Sequence, residues 1–155
     1  MIVILTAPIQ SGKTTSLINW SAARKDVHGI LTPVASGKRV FMNAQTREQF
    51  PMEATTGEKT LAIGRFAFSK AGFDKAIQII RNAISKEGWL VIDEVGPLEL
   101  KGEGFCDVLK EVSAIRNEKT ILVVREGMVE KVKAYFNISK AEQIDDLTAL
   151  KKLTH

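Results

Sequence analysis

Near the N-terminus, Gly12-Lys13-Thr14-Thr15 follows the apolar run Val3-Ile4-Leu5 and leads into a helical pattern. A strand that ends in a loop, with the loop opening into a helix, suits the capture of phosphate: backbone N–H groups converge there, and the helix dipole favours an anion. The nucleotide-binding set read from this stretch is Gln10, Ser11, Gly12, Lys13, Thr14 and Thr15. Lys13 adds a point charge on the phosphates, and the Thr14 hydroxyl is a ligand for Mg²⁺. The one departure from the P-loop pattern is Ala7, which stands where the pattern has glycine.

A second chemical group lies far along the chain. Trp89-Leu90-Val91-Ile92 is a fully apolar run, and it ends in two adjacent carboxylates, Asp93 and Glu94. Asp93 suits the Walker B role of holding Mg²⁺ opposite Thr14. Glu94 is the candidate base for water attacking a γ-phosphate, since such a water must be oriented and relieved of its proton. Asp93-Glu94-Val95-Gly96 also fits the short D-x-x-G pattern of GTPase switches, but the Asn-Lys-x-Asp guanine signature is absent. Phosphoryl transfer needs further positive charge, and Arg125, at the end of the apolar run Thr120–Val124, is the candidate γ-phosphate sensor. Arg39 and Arg65 are its rivals, and Phe66 is a candidate for stacking on a base.

The elements that must position these groups follow from periodicity. Helices are expected over 14–25, 73–86, 104–117 and 128–136, with Leu17, Phe73, Ile77, Ile80, Ile84, Phe105, Leu109, Val112 and Ile115 facing inward. Strands are expected over Ile30–Thr32, 89–94 and 120–124, with a further strand near Ile138 and a short helix or frayed tail from Asp145 to Leu153. His28 reads as a loop residue. Between about residues 33 and 68 the strands follow one another without helices, which suggests antiparallel hairpins added to a mainly parallel sheet. Strands alternating with helices place the ligand at the carboxyl ends of the parallel strands, so the loop, the Asp93-Glu94 pair and Arg125 belong at one edge.

Bulk properties set limits. The 155 residues suit a single domain, 1–155, and 45% hydrophobic with 26% charged residues is ordinary for a water-soluble chain. A net charge of +4, with the cations dispersed, argues against a nucleic-acid surface. One cysteine, Cys106, fits a reducing compartment and reads as buried. No run is long enough to span a membrane, and the first residues do not read as a signal peptide; a cytoplasmic protein is expected.

Four blocks of the chain resemble the small P-loop nucleoside-triphosphatase family known from thermophiles and animals. They are Gln10–Thr15; Gly29-Ile30-Leu31-Thr32 with Gly37-Lys38-Arg39-Val40-Phe41; Ile63-Gly64-Arg65-Phe66 with Phe73 and Ala76; and Val91–Leu100 with Phe105. The resemblance implies a RecA-like sheet with antiparallel additions and slow, Mg²⁺-dependent hydrolysis of several NTPs to NDP and phosphate. It also implies the roles already given to Lys13, Thr14, Asp93 and Glu94. Ala7, Pro33-Val34-Ala35-Ser36 and Pro97 depart from the family pattern. Two other readings use the same groups: a small nucleoside or metabolite kinase, and an NTP-binding switch or assembly factor with a protein partner.

Overall fold

The computed structural model describes residues 2–7, 12–54, 60–63, 66–116 and 118–150. Its centre is a parallel sheet built from β1 (Ile2–Ala7), β2 (Val27–Leu31), β8 (Trp89–Val95), β9 (Thr120–Arg125) and β10 (Glu142–Ile144). Their spatial order is β10-β1-β9-β8-β2, and every neighbouring pair is parallel. β1, β8 and β9 are apolar along most of their length because both faces of the sheet are covered there. Successive residues of each strand serve opposite faces. Ile4, Leu90, Ile92, Leu122 and Val124 enter one core, while Val3, Leu5, Trp89, Val91, Ile121 and Val123 enter the other.

The first core is covered by α2 (Lys70–Ala83), α4 (Cys106–Ile115) and α5 (Val129–Tyr135), with Phe73, Ile80, Leu109, Val112 and Val132 buried. The second is covered by α1 (Lys13–Ala22) through Leu17, with Trp20 partly buried against it. The expected inward stripes hold with two exceptions. Ile115, at the last turn of α4, is 66% exposed, and Ile77 is only partly buried. The helix ends before its stripe does. There the chain turns at Arg116, whose guanidinium donates to the carbonyls of Ile84, Lys86, Gly88, Glu118 and Lys119 and closes that end of the sheet.

The hairpin region between residues 33 and 68 is antiparallel as expected. β4 (Lys38–Asn43) pairs antiparallel with β2, with the two-residue β3 (Val34–Ala35) and with β5 (Gln49–Pro51), extending the sheet beyond its parallel part. β6 (Thr60–Ile63) and β7 (Phe66–Ser69) form a separate hairpin. The Ser69 N–H to Met52 carbonyl bond, 2.7 Å, ties that hairpin back to the chain beyond β5. The last parallel strand lies at 142–144, a few residues beyond the expected position, because Ile138 turns into the core first. The tail forms a single 3₁₀ turn at Leu147–Ala149, and 151–155 lie outside the described residues. His28 is in β2 and not in a loop, with Nδ1 buried and without a hydrogen-bond partner among the described residues.

Gly29 is what allows β2 to lie against β8. Its φ is +114°, and a Cβ there would fall 2.0 Å from the Val91 carbonyl oxygen. No alanine fits that space without parting two central strands. Gly29→Ala is expected to destabilise the fold by at least about 3 kcal/mol. Guanidinium unfolding of the variant beside the wild type measures this, and equal midpoints would contradict the close approach.

Candidate active site

The carboxyl ends of β1, β2, β8 and β9 lie along one edge, and the chemical groups gather there. Gly12 sits at the entry of α1 with φ +81°, a left-handed conformation that glycine adopts without cost. The Ser16 N–H bonds the Gly12 carbonyl at 2.9 Å and begins the helix. This turn brings the Thr14 hydroxyl to 2.8 Å from Asp93 Oδ2 across 79 residues of sequence. The same carboxylate oxygen accepts the Thr32 N–H at 3.2 Å, so Asp93 joins β8, α1 and the end of β2.

Asp93 is 1% exposed. Burial pushes its carboxyl above the ordinary carboxylate range, while the Thr14 and Thr32 donors pull in the opposite direction. The Thr32 hydroxyl, on a residue 1% exposed, is buried without a hydrogen-bond partner among the described residues. A costly buried carboxylate, a hydroxyl already touching it and an unspent hydroxyl on the residue beside it are hard oxygen donors. That set fits a magnesium ion holding much of its water shell. Among the described residues no group of three His, Cys, Asp or Glu side chains forms a metal cluster. The fit is therefore to a cation held by one carboxylate, one hydroxyl and phosphate oxygens.

Glu94 follows on the same strand and is half-buried. Its Oε2 pairs with Nη1 of Arg39, and its Oε1 lies 3.9 Å from Nη2 of Arg125. Arg125 reaches it from β9, whose last residue is in register with Ala7 of β1, so its guanidinium rises beside the strand that feeds the phosphate-binding loop. Its Nε is buried without a partner among the described residues. Arg39 arrives from the opposite side, on β4, with its N–H held by Glu53 Oε2 at 3.1 Å.

The structure thus brings Thr14, Asp93, Glu94 and Arg125 together, with Arg39 beside them. Lys13 opens α1 and its ammonium donates to the carbonyl of Asp145, just past β10. Thr15 is exposed on the first turn of the helix. Gln10, Ser11 and Arg65 lie outside the described residues, as does the side chain of Phe66. Cys106 is buried, as expected, with its Sγ 3.7 Å from the Tyr135 hydroxyl.

Two contributors were not singled out by sequence reasoning. Thr32 carried only its place after an apolar run and in the Gly29–Thr32 block of the family resemblance, with no role attached. Glu99 carried one: it stands three residues after Gly96 with Pro97 between, the spacing of a helix start that a carboxylate caps. It lies on α3 (Pro97–Leu100) and accepts the Gly96 N–H at 2.7 Å and the Phe105 N–H at 3.0 Å, pinning the loop that follows the two acids.

Burial of Glu99 pushes its carboxyl from an ordinary 4.5 up to about 7, against the pull of the two N–H donors. Between those values the unfolded chain gives up this proton and the folded chain keeps it. The Glu99 contribution to stability therefore falls as pH rises through that window and levels off above about 7, by at most about 3 kcal/mol. Denaturant titrations at pH 5 and pH 8 are expected to show a larger loss for the wild type than for Glu99→Gln.

The sequence model described as NTPase matches residues 2–149. The chain is 27% identical over 144 residues to nucleoside-triphosphatase THEP1 of Methanocaldococcus jannaschii, covering 86% of this chain and 83% of that protein. It is 32% identical over 113 residues to nucleoside-triphosphatase THEP1 of Pyrococcus abyssi, 68% of this chain and 61% of that one. The crystal structure of THEP1 from Aquifex aeolicus superposes with a TM-score of 0.69 at 23% identity, covering 97% of this chain and 93% of the other, which shows the same fold.

Proposed function

This chain belongs to the NTPase family, and on that premise we propose that it is a Mg²⁺-dependent nucleoside-triphosphatase that cleaves the β–γ phosphoanhydride. The observation that carries the reading is the bond from the Thr14 hydroxyl to buried Asp93, with Glu94 next along the strand. That juxtaposition supports reading Thr14 and Asp93 as metal ligands and Glu94 as the base beside a phosphate-binding loop.

The chemistry assigns each residue a part. Lys13 and the loop N–H groups from Gln10 to Thr15 hold the phosphates. Thr14 and Asp93 would hold a magnesium ion, which would neutralise phosphate charge when bound. Glu94 takes a proton from a water aligned with the γ-phosphorus; the oxygen of that water bonds to phosphorus as the bond to the β-phosphate oxygen breaks. NDP leaves with the bridging oxygen, and inorganic phosphate is the second product. Arg125 supplies positive charge against the negative charge on the equatorial oxygens.

Broad base specificity is part of the proposal, supported by the absence of an Asn-Lys-x-Asp guanine signature. Slow turnover is part of it too, supported by the arginines that already engage Glu94. Among the described residues no helix is long and apolar enough to cross a membrane, which agrees with the cytoplasmic setting we propose.

Phosphate release from a panel of NTPs, with and without Mg²⁺, tests the reading. Glu94→Gln is expected to lose at least about a hundredfold in kcat while still binding Mg·NTP. Full turnover in that variant removes Glu94 as the base. Tight NTP binding in the wild type without phosphate release favours the kinase or switch readings. Lys13→Ala is expected to weaken NTP binding by at least about tenfold, read by equilibrium titration with a fluorescent nucleotide.

A further inference from the structure

Both oxygens of Glu94 face arginines, one from each side: Arg39 on the antiparallel extension and Arg125 on the parallel sheet. The side chains are 42%, 29% and 40% exposed for Arg39, Glu94 and Arg125, so solvent screens the pairs. Each pair is therefore weak enough to exchange. A γ-phosphate is a stronger partner for a guanidinium than a single carboxylate, because it carries more charge and offers oxygens for a bidentate fork. Glu94 is covalently next to Asp93, which touches Thr14 at the end of the phosphate-binding loop, so an arriving γ-phosphate enters the same small volume.

We propose that Arg39 is an exchanging residue: it holds Glu94 while no triphosphate is bound and passes to the γ-phosphate when NTP arrives, releasing the carboxylate to act as base. The inference rests on the hydrolytic reading for what Glu94 does once released; the exchange itself is a statement about binding. The sheet extension that carries Arg39 acquires a reason to lie where it does, since β4 sets the arginine across from β9. Nucleoside diphosphates, lacking the third phosphate, leave the Arg39–Glu94 pair in place. The device thus discriminates triphosphate from diphosphate.

The test is a binding cycle, read by calorimetry with Mg²⁺ and a non-hydrolysable β,γ-imido triphosphate, with ADP as the comparison. Glu94→Gln removes the competitor for Arg39 and is expected to tighten the triphosphate analogue by about fivefold or more, with less than about a twofold change for ADP. In an Arg39→Ala background the same Glu94 substitution is expected to have no effect on the analogue. Arg39→Met, which keeps the aliphatic stem, is measured alongside to separate lost packing from lost charge, and is expected to behave as Arg39→Ala.

No tightening overturns the exchange. So does equal tightening for both nucleotides, or tightening that survives without Arg39, since either is plain repulsion between Glu94 and an anion. The hydrolytic reading fails separately: a Glu94→Gln protein that releases phosphate at the wild-type rate removes the base and leaves the binding cycle standing.

Discussion

The bond between the Thr14 hydroxyl and the Asp93 carboxylate is the constraint on which the site depends. Asp93 lies at the end of a strand whose preceding four residues are entirely buried, so its carboxylate emerges where solvent does not reach. An unsupported carboxylate there is expensive. The Thr14 hydroxyl and the Thr32 N–H reduce that cost, and in doing so they fix where α1 begins and where β2 ends relative to β8. The interaction that holds the Asp93 carboxylate in place is thus the same one that locks three elements together.

Around it, positive charge is arranged in layers. Lys13 belongs to the loop, Arg125 to the parallel strand next to β1, and Arg39 to the antiparallel extension. Only the last two meet a side-chain carboxylate, and it is the same one. Below the acids, Glu99 closes the loop by taking two backbone N–H groups, which leaves Glu94 to face the arginines and not its own loop. Two glutamates five residues apart thus sit in opposite settings: Glu99 is buried on backbone N–H groups, and Glu94 is partly exposed between two arginines.

Much of this was legible in the sequence, and the reason is physical. Val3-Ile4-Leu5 and Leu90-Val91-Ile92 are apolar on both faces, which only a covered parallel sheet rewards, and the charged residues that end such runs fall at one edge. Asp93 and Arg125 were found that way. The hairpin region was legible as antiparallel but not in its pairing, since the contact of Arg39 with Glu94 joins residues 55 apart through strand register that no local pattern encodes. Ile115 misled because it is the last residue of its helix, where the stripe no longer meets the core. Helix ends are decided by capping and by neighbours such as Arg116, which carbonyl groups distant in sequence engage.

The order of the sheet has a consequence for how the protein comes into being. Among the described residues, strand β1 pairs with β9 and β10 only, so this segment meets its first partner more than a hundred residues later. On a ribosome β1 is made first and paired last. β2, β4 and β5 can join locally, through short antiparallel connections, well before that. The edge where Thr14, Asp93 and Arg125 meet is therefore incomplete until the chain through Arg125 has emerged.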